Sequence, residues 1–191
     1  MSTRDRILEA SAELFALHGY KDTRMTRIAS AAGLSRAALY KHFQSKEAIL
    51  MALNERVIED ARQVGLPLLR GPAPGGERLA DWLRYSLQSS WRQHAARVVI
   101  VEETQNLLLE DEGATAAIVD EVAASLRALL REGIRSGEFK DALKPARVAK
   151  AIQSLLMGLD RNNVSNRPMF EVKSGAEIEA VIDLILGGIR K

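Results

Sequence analysis

Residues 25–43 restrict the possible folds more than any comparable stretch of this chain. Apolar side chains recur at Ile28, Leu34, Leu39 and Phe43, the small Ala29 falls where two helices would cross, Gly33 stands between them and Ser35 precedes the second. Each residue type answers a geometrical demand. A small side chain lets two helix backbones approach, glycine accepts the positive φ of a tight turn, and a serine hydroxyl accepts an otherwise unpaired N–H of a helix's first turn. The spacing predicts short helices over 25–32 and 36–42 joined as a helix-turn-helix. With Leu39 turned inward, helical periodicity sets Arg36, Ala37, Ala38 and Lys41 largely outward.

The rest of the chain reads as helix as well, with no period-2 alternation long enough for a sheet. Leu8, Ala12 and Phe15 mark a helix over 3–17 that stops at Gly19, and Ser45 starts another carrying Ile49, Leu53 and Val57 to about residue 62. Further helices are expected near 77–94, 97–110, 114–136, 145–163 and 175–190, so the prediction is an all-α fold of about nine helices. Pro145 suits a first turn, and Ser174 with Glu177 has the spacing of a capping box. Residues 65–76 hold three of the five prolines and four glycines, which predicts an interhelical loop and no helix interior. A second loop is expected over 162–174.

Composition removes several classes of function. At 191 residues and 47% hydrophobic content the chain can bury a core unaided, and it has no Cys for a disulfide, a thiolate metal site or thiol redox chemistry. No metal or cofactor is expected. The charged N-terminus lacks an apolar signal core, and no apolar run approaches the roughly 20 residues that span a bilayer. The expectation is a cytoplasmic protein. The net charge of +2 conceals an uneven distribution: residues 1–50 carry +3 and residues 51–191 carry −1. From Lys21 to Lys46 there are six bases and one acid, Asp22, which makes a polyanion a plausible partner for this segment.

Residues 4–53 resemble the DNA-binding domain of TetR-type (TetR/AcrR) transcriptional regulators. The resemblance runs through Arg6-Ile7-Leu8-Glu9-Ala10, Glu13-Leu14-Phe15, Gly19-Tyr20, Ile28-Ala29, Ala32-Gly33-Leu34-Ser35, Leu39-Tyr40-Lys41-His42-Phe43 and Ser45-Lys46-Glu47. It implies a DNA-binding domain over 1–47 and an effector-binding and dimerisation domain over 48–191. The fourth helix would connect them, and the last two helices would build a homodimer. The implied function is a ligand-responsive repressor released from a double-stranded DNA operator by a small molecule. Carried over position by position, Arg36, Ala37 and Lys41 would face base edges, while Thr26, Tyr40, His42 and Lys46 would contact phosphates. Ala37-Ala38 departs from the Gly-Thr often found there, so a hydroxyl is missing and the operator sequence does not transfer.

For the effector, Trp82, Tyr85, Trp91, Met157 and the run 98–101 offer apolar lining. His94, Glu102, Glu103, Gln105, Asn106, Asp160 and Asn163 are the polar candidates. For the dimer, Val148, Ile152, Leu155, Leu156 and Leu159 form one stripe and Ile178, Val181, Ile182, Ile185 and Ile189 another, with the same side chains also available to the chain's own core. Two other classes stay open. A helical hydrolase would need His94 with Glu102 or Glu103, although no G-x-S-x-G, H-E-x-x-H or P-loop motif accompanies them. An architectural DNA binder would bind random duplexes with similar affinity.

Overall fold

The computed structural model describes residues 1–88, 112–163 and 172–191. The expected helix 97–110 and the candidates Trp91, His94, Glu102, Glu103, Gln105 and Asn106 lie outside the described residues, as do the run 98–101 and the side chain of Asn163. The described chain is all-α: α1 (Thr3–His18), α2 (Met25–Ala31), α3 (Arg36–His42), α4 (Lys46–Asp60), α5 (Leu66–Arg70), α6 (Gly75–Gln88), α7 (Glu112–Arg135), α8 (Pro145–Asn163) and α9 (Gly175–Ile189). The described residues contain no strand, only an isolated bridge between Phe139 and Arg190.

Two apolar cores organise these helices. The first gathers Ile7, Leu8, Phe15, Tyr20, Ile28, Leu39 and Phe43 with Ile49, Leu50 and Leu53 of α4. The second gathers Leu79, Trp82, Leu83, Leu126, Leu130, Phe139, Ile152, Ile178, Ile182 and Leu186. Between them Ile58, Leu66 and Ile118 form a small third cluster along the α4–α5 run. The helix α4 therefore belongs to the first core at one end and leans on the second body at the other.

The expected loop over 65–76 is corrected by the structure. The chain stays helical past α4 through a single π-helical turn, Ala61–Gly65, and then α5, with the Leu66 N–H bonded to the Ala61 carbonyl. Pro67 lies in the first turn of α5, directly after the π turn, a position at which a helix tolerates its missing N–H. Gly65 is helical, and it is glycine for a reason of space. A Cβ there would lie 2.9 Å from the Tyr85 ring. Only residues 71–74 break the helical path before α6, which starts at Gly75, where Glu138 Oε1 accepts the Gly76 N–H at 2.8 Å.

The second body is tied by contacts distant in sequence. Arg84 grips Glu179 with two bonds, Nε to Oε1 at 2.7 Å and Nη2 to Oε2 at 2.9 Å, joining α6 to α9. This bidentate pair raises the Arg84 pKa and lowers that of Glu179. The buried Arg78 donates to the Leu69 carbonyl at the end of α5 and lies 2.8 Å from Glu132 Oε1, so its charge is paired.

Candidate nucleic-acid interface

Helices α1, α3 and α4 each start on a serine cap, Ser2, Ser35 and Ser45, whereas α2 starts after Arg24 with no side-chain cap. At α1, Ser2 Oγ accepts the Asp5 N–H and the Asp5 carboxylate accepts the Ser2 N–H in return, a full capping box. The Ser2 hydroxyl, then the Ser2 backbone, hold the Asp5 carboxyl below its ordinary range. Buried Thr23 places its hydroxyl 2.8 Å from the Gly19 carbonyl and 3.2 Å from that of Leu14, closing the connection from α1 to α2.

The turn between α2 and α3 has the expected geometry. Gly33 adopts φ +66°, its N–H reaches the Ser30 carbonyl, and the Leu34 N–H reaches the Ala29 carbonyl at 2.8 Å. These are the two bonds of a Schellman motif. Ser35 Oγ then accepts the Ala38 N–H at 3.1 Å and starts α3. Leu39 is fully buried beneath the helix, leaving Arg36, Ala37, Tyr40, Lys41 and His42 on the exposed face. Thr26 is exposed on α2 nearby, with Arg24 and Arg27. One outward face thus presents cationic and small side chains, and the segment around it contains a single acid, Asp22.

Lys46 sits differently from the rest. Its ammonium donates to the Tyr20 carbonyl at 2.6 Å and to the Lys21 carbonyl at 3.2 Å, and it lies 4.2 Å from the centre of the Tyr20 ring. The Tyr20 hydroxyl bonds Glu47 Oε1 at 3.0 Å. The first turn of α4 is thereby clamped to the start of the α1–α2 connection. The Glu47 carboxyl is held low, first by its own backbone N–H and then by Ser45 and Tyr20.

Sequence reasoning assigned no role to Arg6, which the structure makes central. Its guanidinium Nη2 donates to the Ala32 carbonyl at the end of α2, and a Cβ on Gly33 would lie 3.1 Å from the same nitrogen. Arg6 therefore braces the turn from beneath and places a positive charge at the negative end of α2. The available signal was a cation one residue before the buried Ile7 and Leu8. Arg4 likewise lies over the Phe43 ring, 5.1 Å from its centre.

A capped helix-turn-helix with a basic outer face is the geometry for entering a DNA groove, and known proteins share it. The family profile described as "Bacterial regulatory proteins, tetR family" matches residues 7–53, and one described as "Tetracyclin repressor-like, C-terminal domain" matches residues 72–161. The solved structure of PfmR, a TetR family transcriptional regulator from Thermus thermophilus, is 32% identical, with a TM-score of 0.80 over 100% of this chain and 99% of that one. The chain belongs to the TetR family. Among curated relatives, the HTH-type transcriptional repressor AcnR of Corynebacterium efficiens is 36% identical over 95 residues, 47% of this chain and 50% of that protein. The match thus spans half the length of that relative. The fatty acid metabolism regulator protein of Bacillus subtilis is 27% identical over 96% of this chain and 94% of its own.

In the TetR-family body, the effector candidates that fall among the described residues are dispersed in role. Trp82 is buried in the second core. Tyr85 is half-buried on α6, and its hydroxyl donates to the Asp60 carboxylate at the end of α4. Asp160 is buried on α8, whereas Met157 is exposed. Among the described residues no three His, Asp or Glu side chains gather as a metal site, and no helix is long and apolar enough to cross a membrane.

Proposed function

We infer that this TetR-family chain is a ligand-responsive, operator-binding transcriptional repressor that acts as a homodimer. The observation that carries the reading is the outward face of α3. Arg36, Ala37 and Lys41 stand exposed on a capped helix braced by Gly33 and Arg6, in a segment nearly free of acids. Arg36 has the donors for a bidentate pair with guanine, and the Ala37 methyl suits a thymine methyl. Thr26, His42 and Lys46 surround that contact as phosphate ligands or braces, with Lys41 as a further base-edge residue and the Tyr40 ring beneath Arg36. Relatives named as a transcriptional repressor and as a regulator of fatty acid metabolism support the same assignment.

The dimer surface is the open side of α8 and α9. Ile152, Leu156, Ile178, Ile182 and Ile189 are consumed by the chain's own core, but Leu155 and Leu184 are 43% and 75% exposed. Among the described residues, nothing beyond the helix's own nearby backbone lies within 4 Å of a Cβ at Gly158, Gly187 or Gly188, so a second copy could approach closely. A dimer would present two recognition helices, which need a separation of about 34–36 Å to enter successive major grooves.

The effector would bind in the body near Trp82, Tyr85, Met157 and Asp160, with Trp91, Glu102, Glu103 and Asn106 as further candidates, and act through α4. Among the described residues, two polar contacts hold α4 to the body. Asn54 Nδ2 donates to Thr115 Oγ1 at 2.9 Å, and Asp60 accepts from Tyr85. A ligand that prefers a different α4 position would change the spacing of the two α3 helices and release DNA. The test is binding to the duplex upstream of the protein's own gene and to a random duplex across a salt series. A preference of about a thousandfold or more is expected, and equal affinity would exclude an operator-specific role.

A further inference from the structure

Arg36 and Tyr40 are four residues apart on α3 and therefore share one helix face. The guanidinium carbon of Arg36 lies over the Tyr40 ring, 5.5 Å from its centre. Both side chains are exposed, the tyrosine by 39%. Among the described residues no carboxylate pairs with Arg36, and no acid occurs between Thr23 and Lys46. Arg36 also opens α3, where the positive end of the helix dipole repels a cation. The negative face of the ring offsets that repulsion.

This arrangement bears on recognition. A free arginine loses much rotamer freedom when it docks on a base, and a side chain already held in place loses less. A guanidinium resting on a ring face keeps its in-plane N–H fork open, and that fork matches the O6 and N7 acceptors of guanine. Resting on the operator-binding reading above, we propose that Tyr40 is a positioning residue whose ring holds Arg36 for a guanine edge in the major groove. It sets base specificity through the ring, and its hydroxyl is dispensable.

The experiment equilibrates the full-length protein with a randomised duplex library and counts the bound sequences for wild type and variants. Wild type selects a motif, and Arg36→Ala erases a guanine preference of roughly tenfold or more at one position of each half-site. Tyr40→Phe keeps the motif intact. Tyr40→Leu lowers the preference at that same position by about threefold and leaves the others unchanged, and combining it with Arg36→Ala relaxes that position no further. Tyr40→Trp, which restores a ring, keeps the preference, so a Trp variant without it counts against the proposal.

Three further results overturn it: Tyr40→Leu retaining the full guanine preference, Arg36→Ala changing no base preference, or Tyr40→Phe weakening all sequences alike. The last, with the salt slope unchanged because a hydroxyl carries no charge, would assign the hydroxyl to phosphate. A wild-type protein that selects no motif would remove the operator-binding reading itself, so the two failures are distinguishable.

Discussion

The N-terminal unit and the larger body are both helical, but they are held by contacts of different reach. In the first, Ser2, Ser35 and Ser45 each cap a helix through the N–H three residues on. In the second, the fixing contacts join Gly76 to Glu138, Arg84 to Glu179, Arg70 to Ser125 and Lys140 to the carbonyls of Gly187 and Gly188. A cap is specified by neighbouring residues, whereas a clasp across tens of residues exists only once the tertiary fold has formed. A unit that must present one helix in a set orientation gains from local specification. Under the proposed function, a body that shifts on binding a ligand is better served by contacts made between helices.

The largest effect that would test this contrast is in the body. Phe139 is fully buried, and a Cβ on Gly133 would fall 2.2 Å from its ring. Phe139→Ala should cost about 3–5 kcal/mol, and Gly133→Ala about 1–3 kcal/mol through overpacking. Because the new methyl can occupy space the ring vacates, the double variant should cost clearly less than the sum. Urea unfolding followed by Trp fluorescence measures this, since Trp82 is buried in the second core and residues 1–81 contain no tryptophan. Additive costs would mean that the ring and the glycine do not share one packing site.

The mirror experiment in the N-terminal unit is Gly33→Ala. A non-glycine residue at φ +66° costs about 1–2 kcal/mol, and the methyl also meets Arg6 Nη2 at 3.1 Å. Operator affinity should fall while the Trp signal of the body barely moves. Equal loss of both signals would show that the two cores unfold as one and that the contrast in reach has no energetic counterpart.

The same difference decides what could be read before the structure. The helix-turn-helix was legible because Ala29, Gly33, Ser35 and Leu39 act on residues within one turn of themselves. The helical path through 65–70 was not, because glycine and proline ordinarily stop a helix. Here Pro67 falls in the first turn of α5, directly after a π turn, and Gly65 is small to receive Tyr85 from α6, a neighbour twenty residues on. Arg6 escaped for a related reason, since its acceptor, the Ala32 carbonyl, belongs to another helix. In the candidate site, the residue types on α3 were readable from periodicity, but the clamp of Lys46 on the Tyr20 and Lys21 carbonyls was visible only in three dimensions.

The junction between the regions supplies an intermediate test. Asn54 is buried on α4, and its amide meets Thr115 in the first turns of α7. Asn54→Leu leaves the threonine without that partner, and Thr115→Val leaves a buried amide unpaired, each costing about 1–3 kcal/mol. Replacing both with apolar groups should recover part of the loss. In calorimetry the single variants should also separate one transition into two, because fewer contacts then bind the N-terminal unit to the body. A single sharp transition in both variants would show that the apolar cluster of Ile58, Leu66 and Ile118 suffices to couple them.

The smallest expected effect is on pH dependence. The Glu47 carboxyl is held below its ordinary range by its own backbone N–H, then by Ser45 and Tyr20, while Glu177 is held low by the Ser174 and Lys173 backbone N–H groups. A folded-state pKa below the unfolded value of about 4.3 means that the folded state binds the proton less readily. The stabilisation is therefore complete above that value and disappears as pH falls through the lower, folded one. Glu47→Gln should lower Tm at neutral pH, and the gap from wild type should close as pH drops below about 4. Glu177→Gln should show the same closing gap, because both carboxylates accept hydrogen bonds in the first turn of their own helix. If the Glu47 gap closed and the Glu177 gap stayed constant with pH, the carboxylate at α9 would be acting through shape alone, and local capping would matter only in the N-terminal unit.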